Sequence, residues 1–325
     1  MKLRYLTLCN NLFDGENSPY TDSEIRRFGI RLRHESAYIT DYIKRGANEE
    51  LKFNCVRLNL ACTTSLVSDK IRKFESVNAI EIPFDMSYWS MTPIQKEQYL
   101  IDVTESGLQR FCNCEGWDFA IFKKHIDLLR ANSSSVEFYI PKKTCKKDQL
   151  SAKVYCVQNM TESIFFVDFF FKRTLINRKF LTVSDPTAET YRTNIFRLEW
   201  SDEKTVSVYD CTDQLYAKVA FDMDLFQAKS NLPSPDLNKY KEQIDRIYRI
   251  KSLLCKEIDV DVYDCNIETW EENDNGQVFV TLLLIENAPQ RCLAIINSSG
   301  VVAYEFCDDY FELSKVAKSL KKKMG

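Results

Sequence analysis

Apolar residues follow two rhythms along this chain, a step of three to four that marks helices and a step of two that marks strands. Over residues 1–134 the two alternate. Leu3–Leu8 reads as a strand, and Asp22 or Ser23 is placed to cap a helix before Gly46 stops it. That helix would carry Ile25, Phe28, Leu32, Ile39 and Ile43 on its apolar side. Phe53–Leu60 alternates, Val56, Leu58 and Leu60 against Arg57 and Asn59, as a half-buried strand does, and Asn78–Phe84 follows as another. Thr92-Pro93 then opens a helix to about Phe111, a capping hydroxyl followed by proline at the first helical position. Gly116 separates it from Asp118–Arg130, where Phe122, Ile126 and Leu129 share a face.

The rhythm changes at Ala131-Asn-Ser-Ser-Ser135. Short β-type runs follow at Val136–Ile140, Ala152–Val157, Ile164–Phe171, Lys179–Val183, Asn194–Trp200, Thr205–Tyr209 and Tyr216–Phe221. Their spacing predicts an antiparallel meander. Lys142, Lys143, Lys146 and Lys147, flanking Cys145, read as one of its hairpin loops. Ile164–Phe171 is the most apolar run, but with Asp168 inside it and only 8 residues it is a strand and not a span of the bilayer. After a second break at Ser230–Pro235, Leu237, Tyr240, Ile244, Ile247 and Leu254 mark a helix. Strands are then expected at Ile258–Trp270, Val278–Ile285, Cys292–Ile296 and Val301–Phe306, with a closing helix at Tyr310–Lys323. The expected fold class is α+β: an α/β domain at 1–134, then a larger, mostly antiparallel β region with two helices at 135–325, itself divisible near 231.

Composition narrows the chemistry. The 325 residues include 8 Gly and 2 His, and none of the glycines lies between Trp117 and Trp270. Average usage would supply about 20 glycines. Glycine-rich phosphate loops and histidine-based triads or metal sites are therefore almost impossible to compose from this sequence. His34 and His125 sit in charged helical surroundings, with no nearby Ser or Cys in a plausible triad context. The net charge of −3 gives no whole-molecule attraction to nucleic acid or anionic lipid. The 12 cysteines are scattered, form no CxxC pair and fall mostly in apolar patterns, as reduced buried thiols of a cytoplasmic protein do. Met1–Cys9 is too short and too polar for a signal segment. No cofactor and no metal is expected.

Two constellations merit a chemical reading. Residues 257–274 hold eight carboxylates, among them Glu257, Asp259, Asp261, Asp264, Glu268, Glu271 and Glu272, and no Lys or Arg. If Glu257–Val262 is a strand, Glu257, Asp259 and Asp261 share one face, where like charges repel unless solvent or a cation relieves them. That face is a solvated edge, a docking surface for a basic protein, or a Ca²⁺ or Mg²⁺ site. With Tyr88, Trp89, Tyr263 and Trp270 as exposed aromatics, it forms the candidate binding surface. Separately, Asp41 and Glu50-Leu-Lys52 have the acid-plus-ExK pattern of a metal-dependent nuclease, in which two carboxylates hold Mg²⁺ and the lysine offsets developing charge.

Ile82-Pro-Phe-Asp-Met-Ser-Tyr-Trp-Ser-Met-Thr-Pro93, the helix Gln95–Phe111 and Gly116-Trp-Asp-Phe-Ala-Ile-Phe122 resemble a layout in bacterial immunity-type proteins of polymorphic or contact-dependent toxin systems. The resemblance covers about residues 78–131 and carries no catalytic residue. It implies a cytoplasmic, non-enzymatic protein that neutralises a toxin domain by binding it. The expected partner is a basic protein, with neither nucleic acid nor membrane involved. A metal-dependent nuclease and a structural subunit of a larger assembly are the alternatives.

Overall fold

The computed structural model describes residues 2–10, 21–64, 67–68, 70–131, 135–184, 186, 195–209, 213, 215–221, 235–260, 265–272, 276–284, 290–307 and 313–322. At 22, 23, 26, 266, 268–272, 283, 313, 314 and 321 it describes the backbone alone. The fold is mixed α+β, and the chain divides into two compact units. The first comprises 1–136 with 158–161 and 186–188, the second 137–157, 162–185 and 189–325.

The first unit is built on strands β1 (Tyr5–Asn10), β2 (Arg57–Thr63), β3 (Arg72–Phe74) and β4 (Val77–Pro83), in the order β1-β2-β4-β3. β1, β2 and β4 run parallel, and β3 is antiparallel to β4. Alternation does what the pattern predicts: Leu6, Leu8, Leu58, Leu60, Ile80 and Ile82 are all buried on one face. Helices α1 (Asp22–Glu50), α2 (Pro93–Glu115) and α3 (Ala120–Ala131) pack with one another, and α1 and α2 also pack against these strands. Thr92 caps α2 in a reciprocal box with Gln95, behind Pro93. Gly107 lets α2 settle on the sheet, since a Cβ there would meet Ile82 at 2.9 Å.

The first helix differs from expectation at both ends. Thr21, not Asp22 or Ser23, is the cap, and Glu24 completes its box. Gly46 does not stop the helix, which runs on to Glu50. Its role is clearance, because a Cβ at Gly46 would lie 2.2 Å from the His125 ring on α3. Phe122, Ile126 and Leu129 of α3 are buried as their spacing predicts.

In the second unit β5 (Val136–Lys147), β6 (Leu150–Gln158), β7 (Ser163–Phe171) and β8 (Thr174–Ser184) are neighbours in sequence order. β7 is buried on both faces, so it reads as a continuous apolar run. Phe165, Val167 and Phe169 join one core with β9 (Arg197–Trp200), β10 (Thr205–Tyr209) and β11 (Leu215–Ala220), ordered β11-β10-β9. Ile164 and Phe166 face the other core, with helix α4 (Lys241–Glu257) and strands β12 (Cys265–Glu272), β13 (Val278–Leu284) and β14 (Gln290–Asn297). These three and β15 (Gly300–Cys307) form an antiparallel sheet in the order β12-β13-β14-β15. Helix α5 (Leu313–Lys321) places Leu320 in a separate cluster with Phe279, Leu293, Ile295 and Cys307.

The lysine cluster is not a hairpin loop. β5 continues through Lys147, and the chain turns at Asp148, which takes a φ of 51°. The Lys143 and Lys147 ammonium groups donate to the carbonyls of Phe196 and Asp202. Among the described residues, positive φ is taken by Gly116, Gly276 and Gly300 and also by Glu75, Lys142, Asp148, Lys172, Asp213 and Asp259.

Candidate functional site

The segment Ile82–Ser90 builds the most distinctive part of the first unit. After β4, the Phe84 N–H still donates to the Thr63 carbonyl at 2.9 Å, which ties the segment to the end of β2. Asp85 then accepts the Ser87 N–H at 2.8 Å and caps a short 3-10 turn, Met86–Ser90. The Asp85 N–H donates to the Tyr99 hydroxyl at 2.6 Å, pinning the turn to α2. The turn folds Tyr88 inward, 0% exposed, and leaves Trp89 half-buried. Neither is the open surface aromatic expected from the sequence, because the rings stack on each other and on their neighbours. Tyr88 lies 4.9 Å from Trp89, 5.4 Å from Phe84 and 5.5 Å from Tyr99, and Trp89 stacks on Phe28 at 5.0 Å.

Behind these rings sits a partly buried charge network. Phe28, Arg31, Glu35 and Tyr38 recur on α1 at steps of three and four. The Tyr88 hydroxyl donates to the Glu35 carboxylate, and burial, then Glu35, pushes the phenol pKa up. Glu35 also faces Lys96 of α2 at 3.6 Å and Arg31 at 3.8 Å. The Lys96 ammonium lies 5.0 Å from the centre of the Tyr88 ring, and the Arg31 guanidinium 5.3 Å from that of Trp89. Tyr38 similarly donates its hydroxyl to Glu97.

In front of the rings is an open concavity of about 660 Å³. It lies at the carboxyl ends of β2 and β4, where parallel sheets commonly receive ligands. Pro83, Phe84, Met86 and Val103 form its apolar part. Thr63, Thr64, Tyr99 and Ser106 bring hydroxyls, and Asp85 and Asp102 bring carboxylates. Among the described residues, no Lys, Arg or His lines it. Asp102 is engaged by Arg130 and by Gln98 at 2.8 Å. Asp85 has no cationic partner among the described residues, and the Ser87 N–H holds its carboxyl below the usual range, so it is ionised at neutral pH. An open hollow with an apolar floor, hydroxyls and an unpaired carboxylate suits a hydrogen-bonding cation, not an anion.

The acidic stretch takes a different form from the one expected. Glu257 is the last residue of α4, Ile258 caps it, and Asp259 is left-handed at φ 55°. The Val260 N–H returns to the Cys255 carbonyl at 2.9 Å, which completes a Schellman end in which Asp259 takes the place usual for glycine. So Glu257 and Asp259 do not share a strand face: the helical step from Leu254 to Ile258 wins over the two-residue alternation. Both remain exposed. Asp261, Tyr263 and Asp264 lie outside the described residues. Glu268, Trp270, Glu271 and Glu272 are on the edge strand β12, with Glu268 the extra residue where its register with β13 shifts. Among the described residues, no group of three His, Cys, Asp or Glu side chains could hold a metal ion.

The nuclease pattern is not assembled either. Asp41 and Glu50 are nine residues apart on α1, which separates them by about 13 Å along its axis. Asp41 is buried against Lys44, and Glu50 engages Lys124 at 2.9 Å. Lys52 is exposed.

Sequence reasoning missed the hollow's other members, because Thr63, Tyr99, Asp102 and Ser106 meet only through the parallel sheet and α2. It also missed an apolar row on edge strand β15, Val302, Tyr304 and Phe306, exposed at 49%, 38% and 45%. Their two-residue spacing was the available signal. No helix among the described residues is long and apolar enough to cross a membrane. Comparison of the chain with protein-family models, with curated proteins and with solved structures gives no match.

Proposed function

We propose that this protein works by binding a basic protein partner and blocking it, in the manner of an immunity or inhibitor protein, with no turnover of its own. The observation that supports the reading is the hollow around Asp85, whose described lining combines carboxylates, hydroxyls and apolar groups, with Arg130 pairing Asp102 but no cation on Asp85 among the described residues. Such a lining accepts the guanidinium or ammonium of a partner side chain and packs its aliphatic stem on Phe84, Met86 and Val103. The rigid aromatic wall and the Glu35 network hold that lining in place before the partner arrives, which limits the ordering cost of binding. The segment that resembles immunity-type proteins is the one that forms the rim.

The test is calorimetric titration with an arginine-rich peptide and an acidic peptide of equal length. The arginine-rich peptide binds in a salt-sensitive way, and Asp85→Asn weakens it about tenfold while the capping acceptor is kept. Equal binding of both peptides, or unchanged affinity in the variant, overturns the assignment. The alternative of a subunit in a larger assembly draws on one observation, the exposed row on β15. Under that reading the protein sediments as an oligomer that Phe306→Lys dissociates; a monomer at all concentrations removes it.

A further inference from the structure

We propose that Cys255 and Cys265 are a modification site, a thiol pair that joins as a disulfide and closes the acidic stretch between them into a loop. This inference is independent of the hollow. The two sulfurs lie 3.0 Å apart, and the residues are 1% and 0% exposed. One further ångström of approach makes the bond, whose length is about 2.0 Å. Their places in the fold favour that approach. Cys255 is two residues before the last residue of α4, where its carbonyl accepts the Val260 N–H, and Cys265 opens β12 opposite Leu284. Helix ends fray, and a helix end joined by a short stretch to a strand end needs little backbone movement to bring two side chains together.

The pair is specific within its surroundings. Both cysteines belong to one apolar core together with Cys292 on β14, whose thiol burial and then Cys255 push up to about 12. Cys292 is thus the natural competitor, while Cys255 and Cys265 have their sulfurs 3.0 Å apart.

The oxidant we name is hydrogen peroxide. One sulfur, as thiolate, attacks a peroxide oxygen; the O–O bond breaks, water leaves after protonation, and that cysteine becomes a sulfenic acid. The second thiol's sulfur attacks it, the S–S bond forms, the S–O bond breaks, and a second water leaves. The two sulfurs give up two electrons and the two peroxide oxygens take them. The product closes a covalent ring through residues 255–265, which limits the freedom of the unfolded chain.

Tryptic mapping of the full chain tests this. Trypsin places Cys255 in Ser252–Lys256, Cys265 in Glu257–Arg291, and Cys292 in the peptide that follows. The folded protein is treated with peroxide, its remaining thiols are alkylated, and it is digested without reductant. The expected product is a covalent pair of the first two peptides that reduction separates. The oxidised protein also melts about 5–10 °C higher; Cys255→Ser loses that rise and Cys292→Ser keeps it. Separate alkylation of Cys255 and Cys265 overturns the proposal, as does a bridge from either one to Cys292.

Discussion

Glu35→Gln tests the network that holds the hollow's wall. The substitution keeps the size of the side chain and an acceptor for the Tyr88 hydroxyl, but it removes the charge that Lys96 and Arg31 face at 3.6 and 3.8 Å. At an effective dielectric of about 20, each such pair is worth on the order of 4 kcal/mol in attraction, most of it offset by desolvation. What decides the outcome is the cation left behind. The Lys96 side chain is 11% exposed, so it loses its counter-charge and regains little water. Breaking a fully buried pair costs about 3–5 kcal/mol. The residual exposure and the ring faces of Tyr88 and Trp89 reduce this to about 2–4 kcal/mol. Urea unfolding followed by tryptophan fluorescence reads the loss directly. Adding Lys96→Met to Glu35→Gln removes the orphaned cation and restores at least half of the lost stability, so the two substitutions couple strongly in a double-mutant cycle. A loss below 1 kcal/mol for Glu35→Gln, or additive effects of the two changes, refutes the network.

Gly46→Ala gains about 1 kcal/mol in helix propensity but drives a Cβ into the His125 ring at 2.2 Å, an overlap that costs about 1–3 kcal/mol. The net is a lower urea midpoint, and the sign reverses when His125→Ala is already present. Asp168→Asn in the second unit leaves Arg178, now held by the carboxylate at 2.6 and 2.8 Å, without its counter-charge. The 0% exposure of Asp168 puts the expected loss at about 3–5 kcal/mol, checked by the same melts. Lys73, then Asn54, hold the Glu115 carboxyl below the usual range, and burial only partly opposes them. A depressed folded pKa contributes stability above the unfolded value of about 4.3 and loses it as pH falls through the folded value. Urea midpoints measured from pH 5 to pH 2 therefore drop, and Glu115→Gln makes the drop shallower.

Local signals in the sequence were legible where the competing signals were weak. Thr92-Pro93, the Phe122–Ile126–Leu129 stripe and the inward Leu58 and Leu60 each point one way, and the structure follows them. Misreadings arose where a distant contact or a second period decides. Gly46 reads as a helix stop because nothing nearby in sequence reveals the His125 ring that needs its space. Glu257 and Asp259 alternate like a strand, but Leu254 and Ile258 also lie one helical turn apart, and burying Ile258 carries the helix through Glu257. Four lysines within six residues read as a loop, yet β5 runs through all four. In the candidate site, Asp85 is visible as a turn residue. Tyr88 and Trp89 look like surface aromatics until the 3-10 turn folds them against Phe28, Phe84 and Tyr99. The hollow itself is invisible in one dimension, since it joins residues from Thr63 to Ser106 across two strand ends and a helix.

The most direct measurement is a backbone amide map by nuclear magnetic resonance during titration with the arginine-rich peptide. The predicted result is a compact set of shifting signals at Thr63, Thr64, Asp85, Tyr99, Asp102 and Ser106, reversed by salt and needing about tenfold more peptide in Asp85→Asn. Shifts spread over both units, or confined to β15 and the end of α4, would contradict the assignment of the hollow as the place where the partner is held.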